Sequence, residues 1–158
     1  MTMPVAPKSV TILLADDDPD DRELTREAFE ESKLANDLRF AEDGVEVFEY
    51  LDRTGKFAGP DAAPRPHLLL LDLNMPRMDG REVLARLKSD PRYADIPVVV
   101  LTTSKAEEDV LRSYRLAAAS YITKPVTFES LVRVVQALGR YWFEIVELPD
   151  HDKPRADP

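Results

Sequence analysis

Four strand-like runs in this 158-residue chain end on polar groups of complementary kinds. Val10 to Ala15 leads into Asp16, Asp17 and Asp18. Leu68 to Leu71 ends at Asp72, Val98 to Leu101 at Thr102 and Thr103, and Tyr121 to Thr123 at Lys124 and Pro125. Carboxylates brought together repel and raise one another's pKa, and a cation among them relieves that cost. An all-oxygen donor set suits Mg²⁺, which takes few protein carboxylates and keeps waters. A lysine in the same cluster is a point charge for a phosphoryl oxygen, and a threonine hydroxyl can donate to another. Carboxylate, divalent ion, ammonium and hydroxyl together make a phosphoryl-transfer site whose carboxylate nucleophile forms an acyl phosphate.

Those ends meet only if the strands lie side by side and point the same way, and the chain's organisation predicts that. Short β-rich runs alternate with helical stretches and no internal repeat is present, the pattern of a parallel α/β sheet. Asp18, then Pro19, then Asp20 and Asp21 predict a helix start over roughly 19 to 32. A short strand follows at Leu38 to Ala41. Val47, Phe48 and Leu51 mark a second helix, expected to end at Gly55. Residues 54 to 66, with Gly55, Gly59, Pro60, Pro64 and Pro66, read as a long loop. Leu68 to Leu71 and Val98 to Leu101 are apolar at every position, which suits central strands covered on both faces. Val83, Leu84 and Leu87 mark a third helix and Val110, Leu111 and Tyr114 a fourth. Leu131, Val134, Val135, Leu138 and Trp142 give the last helix the strongest amphipathic pattern. The expected fold is α/β: five strands and five helices in strict alternation, a doubly wound (βα)5 sandwich with a five-stranded parallel sheet between helices. Ligands bind such sheets at the carboxyl ends of the strands.

Composition narrows the function further. A net charge of −9 argues against nucleic acid or an anionic membrane as partner. Without cysteine there is no disulfide framework, thiolate zinc site, iron–sulfur cluster or Cys nucleophile. His67 and His151 are too few for a His-rich metal site. Apolar runs such as Leu68 to Leu71 are far short of a membrane span and the first ten residues carry no signal pattern. The expectation is a soluble, cytoplasmic protein.

Asp16-Asp17, the run Leu68 to Gly80 (LLLLDLNMPRMDG), Leu101-Thr102 and Lys124-Pro125 together resemble the receiver domain of two-component response regulators. The resemblance covers about residues 8 to 143, leaving 144–158 as a C-terminal extension with a mobile tail. The loop 54 to 66 and the ending Tyr141 to Pro149 are similar to single-domain regulators paired with phytochrome-type sensor kinases. The resemblance implies Asp72 as phosphoacceptor. Asp17 and Asp72 would bind Mg²⁺ directly, Asp16 through a water and Asn74 through its backbone carbonyl. Thr102 and Lys124 would hold phosphoryl oxygens, Tyr121 would be the switch aromatic, and the Lys124-Pro125 bond would be cis. The implied partner is a sensor histidine kinase of phytochrome type. Too few residues follow 143 for an output domain, so signalling is expected through protein contacts. The family commonly carries a glycine near position 117, where this chain has Ala117-Ala118-Ala119, a departure that bears on the approach to Tyr121.

Blander roles suit several residues: Asp18 as a helix cap, Asp79-Gly80 as a turn, Thr103 and Ser104 as loop, His67 as a structural group at a strand entrance, and Asp150-His151-Asp152 as solvated tail. Tyr141, Trp142, Phe143, Ile145, Val146 and Leu148 continue past a minimal domain and would expose an apolar patch. They are expected to extend a homodimer surface built on the fourth helix, fifth strand and last helix. Two rivals remain. A haloacid-dehalogenase-like phosphohydrolase needs a general-acid Asp two residues after its nucleophile, where this chain has Asn74. A pseudo-receiver adaptor would have no use for the complete set of Asp17, Asp72, Thr102 and Lys124.

Overall fold

The computed structural model describes residues 10–32, 36–102, 106, 120–124 and 128–140. Within them lie five strands, β1 (Val10–Ala15), β2 (Asn36–Ala41), β3 (Leu68–Asp72), β4 (Val98–Thr102) and β5 (Ser120–Thr123). The helices are α1 (Pro19–Ser32), α2 (Gly44–Asp52), α3 (Gly80–Ser89) and α4 (Phe128–Arg140), with a 3₁₀ turn at Gly55–Phe57. All pairings are parallel and the sheet order is β2-β1-β3-β4-β5. The expected doubly wound sheet is therefore present. The helix expected around Val110, Leu111 and Tyr114 lies outside the described residues, as does the whole of 141–158.

The order of the sheet explains why β1, β3 and β4 are buried along their whole length. Successive strand residues point to opposite faces, and both faces are covered. Leu13, Leu69, Leu71, Val98 and Val100 pack in one core with Val47, Tyr50, Val83, Leu84 and Leu87. Ile12, Leu14, Leu68, Leu70, Val99 and Leu101 form the other with Ala28, Phe29 and Val135. Alternation of two apolar sets reads in sequence as an unbroken apolar run.

Local signals hold at most element ends. Asp18 caps α1, its Oδ1 accepting from the Asp20 N–H at 2.9 Å. Asp79, expected only as part of a turn, caps α3 by accepting from the Glu82 N–H at 3.1 Å. The end of α2 differs from expectation. Arg53, not Gly55, closes the helix in the left-handed region at φ 57, and the Thr54 N–H donates to the Glu49 carbonyl at 2.9 Å. Gly55 instead opens the 3₁₀ turn. The loop 54–66 is stapled to the core. The Tyr50 hydroxyl donates to the Pro64 carbonyl at 2.7 Å, the Arg53 Nε to the Ala63 carbonyl at 3.2 Å, and Phe57 and Ala63 are buried. His67 has the structural role expected of it. The Thr11 N–H donates to its Nδ1 at 3.1 Å, and its own N–H donates to the Thr11 carbonyl at 2.8 Å. Among the described residues no helix is long and apolar enough to cross a membrane.

Candidate functional site

Strand register brings the polar ends together. Ala15 pairs with Leu71, so Asp16 and Asp72 leave neighbouring strands at the same level. Asp72 pairs with Leu101 and Thr102 with Thr123, which sets Thr102 beside Asp72 and Lys124 beyond Thr102. The Lys124 N–H donates to the Thr102 carbonyl at 2.6 Å, fixing the backbone from which the lysine reaches inward.

Asp16 and Asp72 are buried and Asp17 is exposed. Carboxylate oxygens of the three lie within 4.8 Å of one another. Asp18 is exposed and outside that group, in keeping with its capping role. Lys124 Nζ stands 2.6 Å from Asp21 Oδ2, 3.0 Å from Asp16 Oδ2 and 3.6 Å from Asp72 Oδ2. Burial pushes the Asp72 carboxyl up to about 7; the Lys124 charge opposes that and the Asp16 charge adds to it. For Lys124, burial acts to lower the pKa, but its bonds to Asp21 and Asp16 and the nearby Asp72 outweigh that and raise it.

Three acidic side chains with converging oxygens, one open to solvent, fit a hard divalent ion that keeps part of its water shell. One buried hydroxyl is unmatched: Thr102 is fully buried and its Oγ1 has no hydrogen-bond partner. Such a group costs about 1–3 kcal/mol in a folded protein, and it is tolerated where a ligand later supplies the partner.

The structure thus gathers Asp16, Asp17, Asp72, Thr102 and Lys124. The exposed Asn74 follows directly, its N–H lying 3.4 Å from Asp72 Oδ1. Tyr121 is paired with Val100 in β5; its side chain lies outside the described residues, as do Thr103, Ser104, Ala117 to Ala119, Pro125 with the bond preceding it, and Tyr141 to Leu148.

Two contributors escaped the sequence. Asp21 was legible only as a helix-start acid, yet it makes the shortest contact to Lys124. The available signal was topological: the first turn of α1 borders the carboxyl end of β1. Gly80 is the other. A Cβ there would sit 2.8 Å from the Asp72 carbonyl oxygen and the Leu73 Cα, so only glycine lets α3 start against the strand end. The Gly80 N–H donates to the Leu73 carbonyl at 2.8 Å.

The family model of the response regulator receiver domain matches residues 12–136. The chain belongs to this family. That choice leaves the phosphohydrolase without support. The receiver is 42% identical over 138 residues to the response regulator Rcp1 of Synechocystis sp., an alignment covering 87% of this chain and 92% of Rcp1. The crystal structure of the Mn²⁺-bound form of Rcp1 superposes with a TM-score of 0.76 at 41% identity, covering 89% of this chain and 99% of the other. The phosphorylated cyanobacterial phytochrome response regulator RcpA does so with a TM-score of 0.79 at 40% identity, covering 90% and 100%. The protein is a receiver of two-component signalling with the flavodoxin-like fold, and phytochrome response regulators are among its relatives.

Proposed function

We propose that this receiver accepts a phosphoryl group on Asp72 from the phosphohistidine of a phytochrome-type sensor kinase, and signals through protein contacts. The observation that carries the reading is one buried carboxylate with an ammonium 3.6 Å away and, at the end of the neighbouring strand, a buried threonine hydroxyl without a hydrogen-bond partner. Asp17 and Asp72 would hold Mg²⁺ directly, Asp16 through a water and Asn74 through its carbonyl. Bound there, the ion would supply positive charge that offsets the acidic side chains and the charge of an incoming phosphoryl group.

An Asp72 carboxylate oxygen attacks phosphorus as the phosphorus–nitrogen bond of the phosphohistidine breaks. The bonding pair returns to the imidazole, and an acyl phosphate remains on Asp72. The nucleophile must be ionised, so the raised pKa of Asp72 opposes reaction until positive charge lowers it. Lys124 is placed to take one phosphoryl oxygen and Thr102 to donate to another. The phosphoryl group then draws the Thr102 hydroxyl inward and lets Tyr121 repack. A phosphoryl group that favours this second arrangement shifts the population toward it. The partner surface comprises the fourth predicted helix, β5 and α4, extended by Tyr141, Trp142, Phe143, Ile145, Val146 and Leu148, and joins two copies in a homodimer. Light scattering of the full chain checks the dimer: a monomeric mass unaltered by removing 141–158 refutes it.

Intact-mass spectrometry after treatment with acetyl phosphate and Mg²⁺ tests the chemistry. One phosphoryl group is expected on the parent and none on Asp72→Asn. Equal uptake by both overturns the assignment of Asp72, and no uptake by the parent favours a pseudo-receiver adaptor.

A further inference from the structure

Lys124 is already engaged before any phosphoryl group arrives. Its shortest contact, 2.6 Å, is to Asp21 on the first turn of α1, outside the group of acids that converge on Asp72. Asp16 follows at 3.0 Å, and Asp72, the residue to be modified, is the farthest of the three at 3.6 Å. Asp21 is about a third exposed, whereas Asp16 and Asp72 are almost wholly buried. The lysine is therefore held toward the rim of the site by an acid that can be rehydrated when the lysine leaves it.

We propose that Asp21 is a positioning residue: a resting counter-ion that restrains Lys124 on the α1 side of the site and must give it up as the phosphoryl group forms on Asp72. This rests on the reading of Asp72 as phosphoacceptor. An interaction made in the ground state and lost in the transition state raises the barrier by its own strength. Asp21 thus slows phosphorylation and, by mass action, lowers the phosphorylated fraction. It also keeps the ammonium occupied in the resting protein, where Lys124 would otherwise sit closer to Asp72.

The test uses the full chain, saturating Mg²⁺ for each variant, and acetyl phosphate as donor, so that no kinase contact with α1 enters the rate. The carboxylate oxygen of Asp72 attacks phosphorus, the bond to the acetyl oxygen breaks, and acetate leaves with the electron pair. Asp21→Asn keeps the shape and removes the charge. It is expected to phosphorylate about two- to five-fold faster than the parent, the change expected from a partly exposed ion pair. That advantage is expected to shrink as salt is raised. Asp21→Ala is expected to behave like Asp21→Asn. The metal-free proteins give a second readout by ¹⁵N NMR: the Lys124 Nζ resonance is expected to move in Asp21→Asn. A rate equal to or below the parent's in both variants, with the parent itself phosphorylated on Asp72, overturns the role of Asp21 alone. A parent that takes no phosphoryl group on Asp72 overturns the underlying reading instead.

Discussion

Arg77 and Asp43 lock together the two loops that follow β2 and β3. Arg77 Nε donates to Asp43 Oδ2 at 2.7 Å and its Nη2 to Asp43 Oδ1 at 3.1 Å, a two-point contact. Asp43 is at the same time the N-cap of α2, accepting from the Glu46 N–H at 2.9 Å. Burial acts to raise the Asp43 carboxyl, but Arg77 and the backbone donors outweigh it and hold it below the usual range. The same two loops touch at Gly44, where a Cβ would stand 2.2 Å from the Met78 carbonyl oxygen. Asn74 and Asp72 therefore sit at the start of a loop that is anchored at its middle.

Arg77 has φ 64, a left-handed conformation that costs a non-glycine residue about 1–2 kcal/mol. The ion pair and the backbone strain act in opposite directions and can be separated. Arg77→Ala, which keeps the strain and loses the pair, is expected to melt below the parent. Arg77→Gly, which relieves the strain, is expected to melt above Arg77→Ala. The parent's margin over both should narrow in high salt, because the guanidinium is half exposed. A margin that salt does not touch would assign the effect to packing.

The Asp72 carboxyl makes stability depend on pH in a defined direction. Its folded pKa, about 7, lies above the ordinary 3.8, so the folded protein binds that proton more tightly than the unfolded chain. The contribution is fully present below about pH 4 and is lost as pH rises through 7. Metal-free parent is thus expected to lose stability between those limits, and Asp72→Asn to be the more stable protein at pH 8 by on the order of 1–3 kcal/mol. At pH 4 that advantage should vanish. Millimolar Mg²⁺ should restore the parent at pH 8, since a ligand of the native state stabilises it. Parallel stability curves for the two proteins would contradict the raised pKa.

The unpartnered Thr102 hydroxyl predicts a gain in stability from its removal. Thr102→Val has nearly the same shape without the buried oxygen, and is expected to stabilise the unphosphorylated protein by about 1 kcal/mol. Thermal melting without Mg²⁺ checks this. The same variant should lose the change in partner binding that phosphorylation brings. A lower melting temperature would mean that Thr102 Oγ1 is satisfied in solution.

Gly80→Ala would place a methyl group 2.8 Å from backbone atoms of Asp72 and Leu73. No side chain can swing away to relieve that contact. A loss of about 1–3 kcal/mol is expected, together with slower phosphorylation as the strand end is displaced. A variant that matches the parent in both melting temperature and acetyl phosphate kinetics would show that α3 can start elsewhere.

How much of this was legible in sequence depends on the range of the interaction. Unbroken apolar runs at Leu68 to Leu71 and Val98 to Leu101, the cap at Asp18, and the acid, threonine and lysine strand ends are local patterns with local causes. They were enough for the strand boundaries of β1, β3 and β4 to within about a residue, and for the five groups that strand register brings to one end of the sheet. The end of α2 was misplaced because Arg53 adopts a left-handed conformation for which glycine is the usual signal.

The rest is settled only in three dimensions. Asp21 looked like any acid at a helix start, and its 2.6 Å contact to Lys124 exists because β1 and β5 deliver α1 and Lys124 to the same end of the sheet. The Asp43–Arg77 pair joins residues 34 positions apart, with nothing in the intervening chain to announce it. Thr102 was identified by its place at a strand end, but that its hydroxyl is buried without a partner follows from the packing around it. Which groups share a site can be read from where strands end. Which of them are paired, strained or left unsatisfied depends on distances between segments that sequence order does not encode.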